Sequence, residues 1–136
     1  MISTAIFYPS YISLSSALSL QNIIDQVVPV IEVATSRDFP RIRRRIKIDT
    51  TQIIFHKFPP QLMFGYRYRE SRALRGYYYY IAKPEKAILD YVCKRGDPEE
   101  IFTINWDMLN RKLLKKYVRD YPPRVRRWLN KKLANL

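Results

Sequence analysis

Among its 136 residues the chain has one cysteine, one histidine and three glycines. The lone thiol, Cys93, excludes an internal disulfide framework and any zinc site built from cysteines. The lone histidine, His56, excludes a His-rich metal set within one chain. So few glycines exclude collagen-like and glycine-rich classes, and no GxGxxG, P-loop, HExxH or GxSxG spacing occurs. Long apolar runs are missing too: none approaches the ~18 residues that a membrane span needs. The N-terminus, MISTAIFYPSYISLSSALSL, lacks a positive n-region and is broken early by Tyr8, Pro9, Ser10 and Tyr11, which argues against a signal peptide. A soluble, cytoplasmic protein is expected, with no membrane contact, metal or cofactor.

Acidic residues are the remaining scarcity. Lys and Arg number 25 against 12 Asp and Glu, for a formal charge of +13. Such an excess points to a polyanionic partner: nucleic acid, an acidic membrane or an acidic protein surface. It is unevenly spread. Residues 1–60 carry a net +3, residues 61–136 a net +10, and residues 105–136 alone a net +8 from ten basic and two acidic groups. A hydrophobic fraction of 47% rules out a disordered chain. One domain over residues 1–136 is the expectation, burying roughly two-thirds of its unfolded surface.

Residues 1–10 read as a leading segment and 11–24 as a first helix. Ser13 is placed to cap that helix through its hydroxyl, and Leu14, Ala17, Leu18 and Leu20 form its apolar stripe. Asn22 stands where a left-handed residue would close it. Residues 29–82 read as a sheet region. PVIEVAT (29–35) is short and β-branched, and a turn with Asp38 and Pro40 leads to RIRRRIKI (41–48). There Ile42, Ile46 and Ile48 share one parity and Arg43, Arg45 and Lys47 the other. Strand alternation puts those three cations on a solvent face, with Arg44 as the misfit. Asp49-Thr50-Thr51 makes a hairpin turn into QIIFHKF (52–58), which Pro59-Pro60 ends. LMFGYRYR (62–69) and YYYYIA (77–82) complete the set.

From residue 83 to 136 the period is helical. Pro84 suits a first helical position and Glu85 the positive first turn of a helix that buries Ala87, Ile88, Tyr91 and Val92 and stops near Gly96. Asp90 and Lys94 stand four apart, the spacing of a helical ion pair. Asn105 or Asp107 is placed to cap the next helix, which runs to about Arg119. Its Leu109, Leu113, Leu114, Tyr117 and Val118 occupy one half of the wheel, and Arg111, Lys112, Lys115, Lys116 and Arg119 the other. After Tyr121-Pro122-Pro123 a last helix turns Val125, Trp128, Leu129 and Leu133 inward. The expected fold is α+β: a small, mainly antiparallel sheet of four to five strands, an N-terminal helix and three C-terminal helices.

Side chains able to do acid–base or nucleophilic work are sparse. His56 alternates with Ile54 and Phe58, the setting of a sheet histidine, and Cys93 beside an apolar stripe reads as a small buried hydrophobe. Glu85 and Asp90 are five apart, on opposite helix faces, and so do not form an acid/base pair. No enzyme is expected. Tyr66, Tyr68 and Tyr77–Tyr80 interleave with Arg67, Arg69, Arg72 and Arg75. That composition suits a surface that stacks bases and holds phosphates, and equally a sheet that packs its rings under helices. The candidate contacts to nucleic acid or an acidic partner are Arg43, Arg45 and Lys47 on the strand, Arg111, Lys112, Lys115, Lys116 and Arg119 on one helix, and Arg124, Arg127 and Lys131 on the last. The alternative is a solvated face that keeps the chain soluble. The Tyr121-Pro122-Pro123 junction lacks the glycine turn of a helix-turn-helix.

Three stretches, FYPSYISLSSALSLQNII, FHKFPPQLMFGY and IAKPEKAILDYV, resemble in order and spacing the C-terminal domain of AbiEi-family antitoxins. Those are the antitoxin and transcriptional-regulator halves of toxin–antitoxin and phage-defence pairs. The matching residues are Tyr8, Pro9, Ser10, Tyr11, Ile12, Ser13, Ser16, Ala17 and Leu18 at the front, and Pro84, Glu85, Lys86, Ala87, Leu89 and Asp90 further on. The resemblance covers about residues 6–95. It implies an α+β domain that helps to neutralise a nucleotidyltransferase-like toxin and takes part in repressing its own operon. Most of the matching residues have structural jobs (cap, stripe, first-turn charge), so it implies a shared fold before a shared site. Family members usually carry a winged helix-turn-helix ahead of this domain, and Met1 falls where that module should have ended; operator recognition does not carry over. Lys83 stands where a small capping residue is expected. The expected function is therefore a non-enzymatic antitoxin-like domain or, alternatively, a free-standing nucleic-acid-binding protein without an antitoxin role.

Overall fold

The computed structural model describes residues 10–36, 45–48, 51–70 and 78–136. In chain order the regular elements are β1 (Ser10–Ile12), α1 (Leu14–Leu20), β2 (Val30–Thr35), β3 (Arg45–Ile48), β4 (Thr51–Lys57), β5 (Tyr66–Glu70), β6 (Tyr78–Ala82), α2 (Pro84–Arg95), α3 (Arg111–Tyr117) and α4 (Pro123–Ala134). The strands form one sheet in the order β3-β4-β2-β1-β6-β5. Neighbours β1/β2, β3/β4 and β5/β6 are antiparallel, whereas β2/β4 and β1/β6 are parallel. The class is α+β as expected, but the sheet is mixed and has six strands, not four to five.

The added strand is β1, at residues assigned by sequence to the leading segment and the first helix. Three residues are too few for alternation to show, and Ser10, Tyr11 and Ile12 are all buried in this central strand, which lies between β2 and β6. The first helix is correspondingly short, seven residues in place of 11–24. Leu14 makes the sharp turn between strand and helix at φ +52°, a conformation that costs a non-glycine residue about 1 kcal/mol. Ser13 sits at the N-cap position without capping, since its hydroxyl is drawn elsewhere. Asn22 adopts the expected left-handed conformation at φ +60°.

Arg45 and Lys47 of β3 are exposed and Ile46 half-buried, as alternation requires; Ile42, Arg43 and Arg44 lie outside the described residues. Thr51 belongs to β4 rather than to the turn, pairing with Ile48. Only part of LMFGYRYR is strand. Pro60–Leu62 is a 3-10 turn, and β5 starts after Gly65, whose φ of +74° glycine adopts without steric cost. A Cβ on Gly65 would stand 3.1 Å from both Lys86 Cγ and Tyr117 Cε2, so helix α2 and the start of β5 approach closely there.

Helix α2 has Pro84 at its start, Glu85 in its first turn and Gly96 beyond its end, as expected. The cap of α3 differs. Asn110, not Asn105 or Asp107, accepts the Leu113 N–H at 3.1 Å, while Asn105 precedes a separate 3-10 turn, Trp106–Met108. A further 3-10 turn, Val118–Asp120, leads to the buried Tyr121 and then α4. The main core joins α1, α2 and the C-terminal helices to Tyr11, Ala34 and Ile81 of the sheet; Val33, Ile53 and Phe55 form a second buried cluster. Among the described residues no helix is long and apolar enough to cross a membrane.

Candidate functional site

Two arrangements stand out, one buried and one exposed. The buried one centres on Asp90, which has no solvent exposure. Its Oδ2 accepts from the hydroxyls of Tyr11 at 2.8 Å and Ser13 at 2.7 Å. Its Oδ1 accepts from Lys86 Nζ at 2.6 Å and from the Tyr121 hydroxyl. Lys86 is equally buried and also donates to the Tyr121 oxygen. Around its ammonium stand the rings of Phe64 and Tyr121, 4.7 and 4.8 Å from the nitrogen to each centroid, a further stabilisation of the buried charge. Burial pulls the Lys86 ammonium below its usual range, against the opposing pull of Asp90. Burial, and then the Asp90 charge, hold the Tyr11 and Tyr121 phenols well above theirs.

The cluster corrects one expectation. Asp90 pairs with Lys86, one turn before it, and not with Lys94, whose ammonium lies 4.8 Å from the Phe58 ring centroid. It also gathers residues that carry the AbiEi resemblance: Tyr11 and Ser13 from the front stretch, Lys86 and Asp90 from PEKAILD. Glu85 points elsewhere, accepting the Asn110 N–H at 2.9 Å and so tying α2 to the start of α3. Pro84 opens α2 and Ser10 is buried in β1, while Tyr8 and Pro9 lie outside the described residues.

A second carboxylate, Glu32 on β2, is 1% exposed. It accepts from the Ser15 hydroxyl and from Arg95, and lies 3.2 Å from His56 Nε2. Burial alone would raise its pKa, but the bonds from His56 and Ser15 and the Arg95 charge outweigh burial and hold the carboxyl below its ordinary value. His56 is thus a sheet histidine with a carboxylate partner.

The exposed arrangement is cationic. Arg111, Lys112, Lys115, Lys116 and Arg119 all face solvent on α3 and the turn after it, and Arg127 and Lys131 do so on α4. Among the described residues none of the seven has an ion-pair partner. Lys132 differs, being neutralised by Asp97 and Glu99 at 3.1 and 2.9 Å. Arg124 is largely spent on structure, donating to the carbonyls of Val92 and Cys93 at the end of α2. Arg126 donates to the Arg119 carbonyl at 3.4 Å, which brings the end of the first cationic segment to the start of the second. Helix α4 has no acidic residue in its first turn although Arg124 stands there, against the preference of the helix dipole. Arg45 and Lys47 sit apart from these helices on edge strand β3, and Arg43 lies outside the described residues.

The described part of the tyrosine–arginine interleaving resolves into two faces, while Arg72, Arg75 and Tyr77 lie outside the described residues. Tyr66 stacks on Tyr11 at 4.8 Å and meets Tyr80 edge-on, while Tyr68 lies against Tyr80. Arg67 and Arg69 have the other parity of β5, and Arg67 donates to Gln21. Of the cluster's residues, Tyr121 is the one that sequence does not single out, since it reads only as part of the Tyr121-Pro122-Pro123 junction. Glu32 carried one legible signal: it is the sole charge in PVIEVAT and shares the parity of Ala34, on the side of the main core. The chain matches no model of a known protein family and no curated protein sequence.

Proposed function

We propose that the chain is a non-enzymatic interaction domain of AbiEi-antitoxin type, acting in the cytoplasm, whose C-terminal helices engage a polyanionic surface. The observation that carries this reading is the run of five exposed cations, Arg111 to Arg119, none with an ion-pair partner among the described residues. A solvated helix face kept only for solubility usually mixes both signs, whereas here Asp107 and Asp120 are the sole acidic residues of the last 32. The antitoxin component rests on the resemblance, and the convergence of Tyr11, Ser13, Lys86 and Asp90 on one cluster supports it as a fold-level likeness. The non-enzymatic component is supported by the same cluster: its lysine, carboxylate and hydroxyls are spent on one another without solvent contact.

Co-expression with a nucleotidyltransferase-like toxin encoded beside it should restore growth; failure to rescue removes the antitoxin reading. The spacing of the cations along α3, at i, i+1, i+4, i+5 and i+8, favours a second reading in which a phosphate backbone is bound without any antitoxin role. If five phosphates are neutralised, log K falls against log salt with a slope of roughly −4 to −5. Reversing Lys112, Lys115, Lys116 and Arg119 to glutamate should abolish retention on duplex DNA or RNA at low salt. Retention that survives the reversal assigns this face to solubility alone.

A further inference from the structure

Scattered exposed apolar side chains are ordinary on a folded domain; clustered ones mark a contact. Leu20 is 58% exposed and Val27 92% exposed, and both line one groove of about 420 Å3. The groove lies where β1 ends and β2 begins, with Ile12, Val28, Val30, Ile31, Tyr79 and Ile81 completing its apolar lining. Its polar neighbours are already engaged: Ser16 Oγ donates to the Val30 carbonyl, Ser19 Oγ to Gln26 and the Gln21 amide to Ala82. Glu70 at the border also has a partner. Arg69 differs. It pairs across the strands with Tyr79, so both side chains stand on one face, and its exposed guanidinium has no partner among the described residues.

We propose that this groove docks a segment of an acidic partner protein, which inserts a large apolar side chain and sets a carboxylate against Arg69. Charge selects that occupant: at the groove's border Glu70 is already engaged while the Arg69 guanidinium, among the described residues, is not, so an acidic segment gains a pair there that a basic one cannot. An apolar anchor seated in a pocket beside a desolvated charge pair is the arrangement that dominates binding energy in protein interfaces. The volume falls within the range that holds such a group. This surface shares no residue with α3 or α4, so it stands or falls separately from the polyanion reading.

The test uses the full chain and two labelled peptides, a Leu-Phe pair flanked by glutamates and the same pair flanked by lysines, followed by fluorescence anisotropy at ~0.1 M salt. The acidic peptide should bind at least about tenfold tighter, and Val27→Asp and Arg69→Glu should each weaken it about tenfold. Val27 and Arg69 are exposed, so both variants should melt as the parent does, which circular dichroism checks. Equal binding of the two peptides overturns the proposal. So does binding that is lost on reversing the α3 cations but not on changing the groove. Dodecanoate that binds and excludes the acidic peptide also overturns it, assigning the groove to a lipid-like carboxylate.

Discussion

Asp90 receives four donors on two oxygens in a site with no solvent exposure. Asparagine keeps its shape but removes the charge facing Lys86 and turns half of the acceptor into a donor. Removing one partner of a buried pair typically costs about 3–5 kcal/mol, a large part of the ~5–15 kcal/mol that holds a domain together. Asp90→Asn should therefore lower the urea midpoint drastically or prevent folding, whereas Ser13→Ala, which deletes one of the four donors, should cost about 1 kcal/mol. Equal, small losses for both would refute the central role given to the carboxylate. The phenols add a pH signature. Tyr11 and Tyr121 have raised values in the folded state, so their stabilisation is complete below pH ~10 and is lost as pH rises beyond it. Lys86 has the opposite sign, since its value is lowered: between that value and its ordinary one, rising pH favours the folded state. Of the chain's eleven tyrosines, two should stay silent in a phenolate absorbance titration until the circular dichroism signal collapses. Eleven smooth titrations in a folded chain would contradict the burial of both.

At the scale of the element, α3 is the piece on which the proposed function depends and the one least able to form alone. Seven residues are far below the length at which a helix is stable in water. Its N-terminus is held by the Asn110 side chain from within and by Glu85 from α2. Asn110→Ala should cost about 1 kcal/mol in urea unfolding, and Asn110→Asp much less because a carboxylate still accepts the bond; equal losses would mean that the cap carries no weight. The cap also shows where the residues were legible. Helices α2 and α4 could be placed because each opens on proline and carries an apolar stripe over twelve residues. Asn110 does not stand out in the sequence because Asn105 and Asp107 are equally good caps locally, and only the 3-10 turn at Trp106–Met108 displaces the helix start. Asp90 has a lysine four residues away in both directions. The acid-before-base order favours Lys94, and the choice of Lys86 is made instead by α2's buried side, where Phe64, Tyr11 and Tyr121 close around it. Ser13 looked like a cap because it is one by position, but a buried carboxylate 77 residues away takes its hydroxyl. On the exposed side the cations of α3 were fully legible, because amphipathic period and charge suffice to place them.

Across the whole molecule, the buried cluster and the cationic face meet through Tyr121. Its hydroxyl is engaged with Asp90 and Lys86, its backbone follows the Val118–Asp120 turn, and α4 starts two residues later. One side chain thus pins the junction of both basic helices to a cluster that also holds β1 and α2. The cations are presented from a fixed base, which limits the ordering entropy that binding a rigid polyanion would otherwise cost. Tyr121→Phe keeps the ring and its packing but leaves one acceptor site on Asp90 empty, a loss of about 1–2 kcal/mol. If Tyr121 is the pin, that loss appears first as local opening. Amide exchange over residues 111–134 should quicken by roughly five- to thirtyfold, while β2 and β4 keep the protection of global unfolding. Polyanion binding should weaken with the salt slope unchanged, because the same charges still reach the partner from a less ordered base. Uniform acceleration of exchange through sheet and helices alike would refute the pin and make Tyr121 an ordinary core residue.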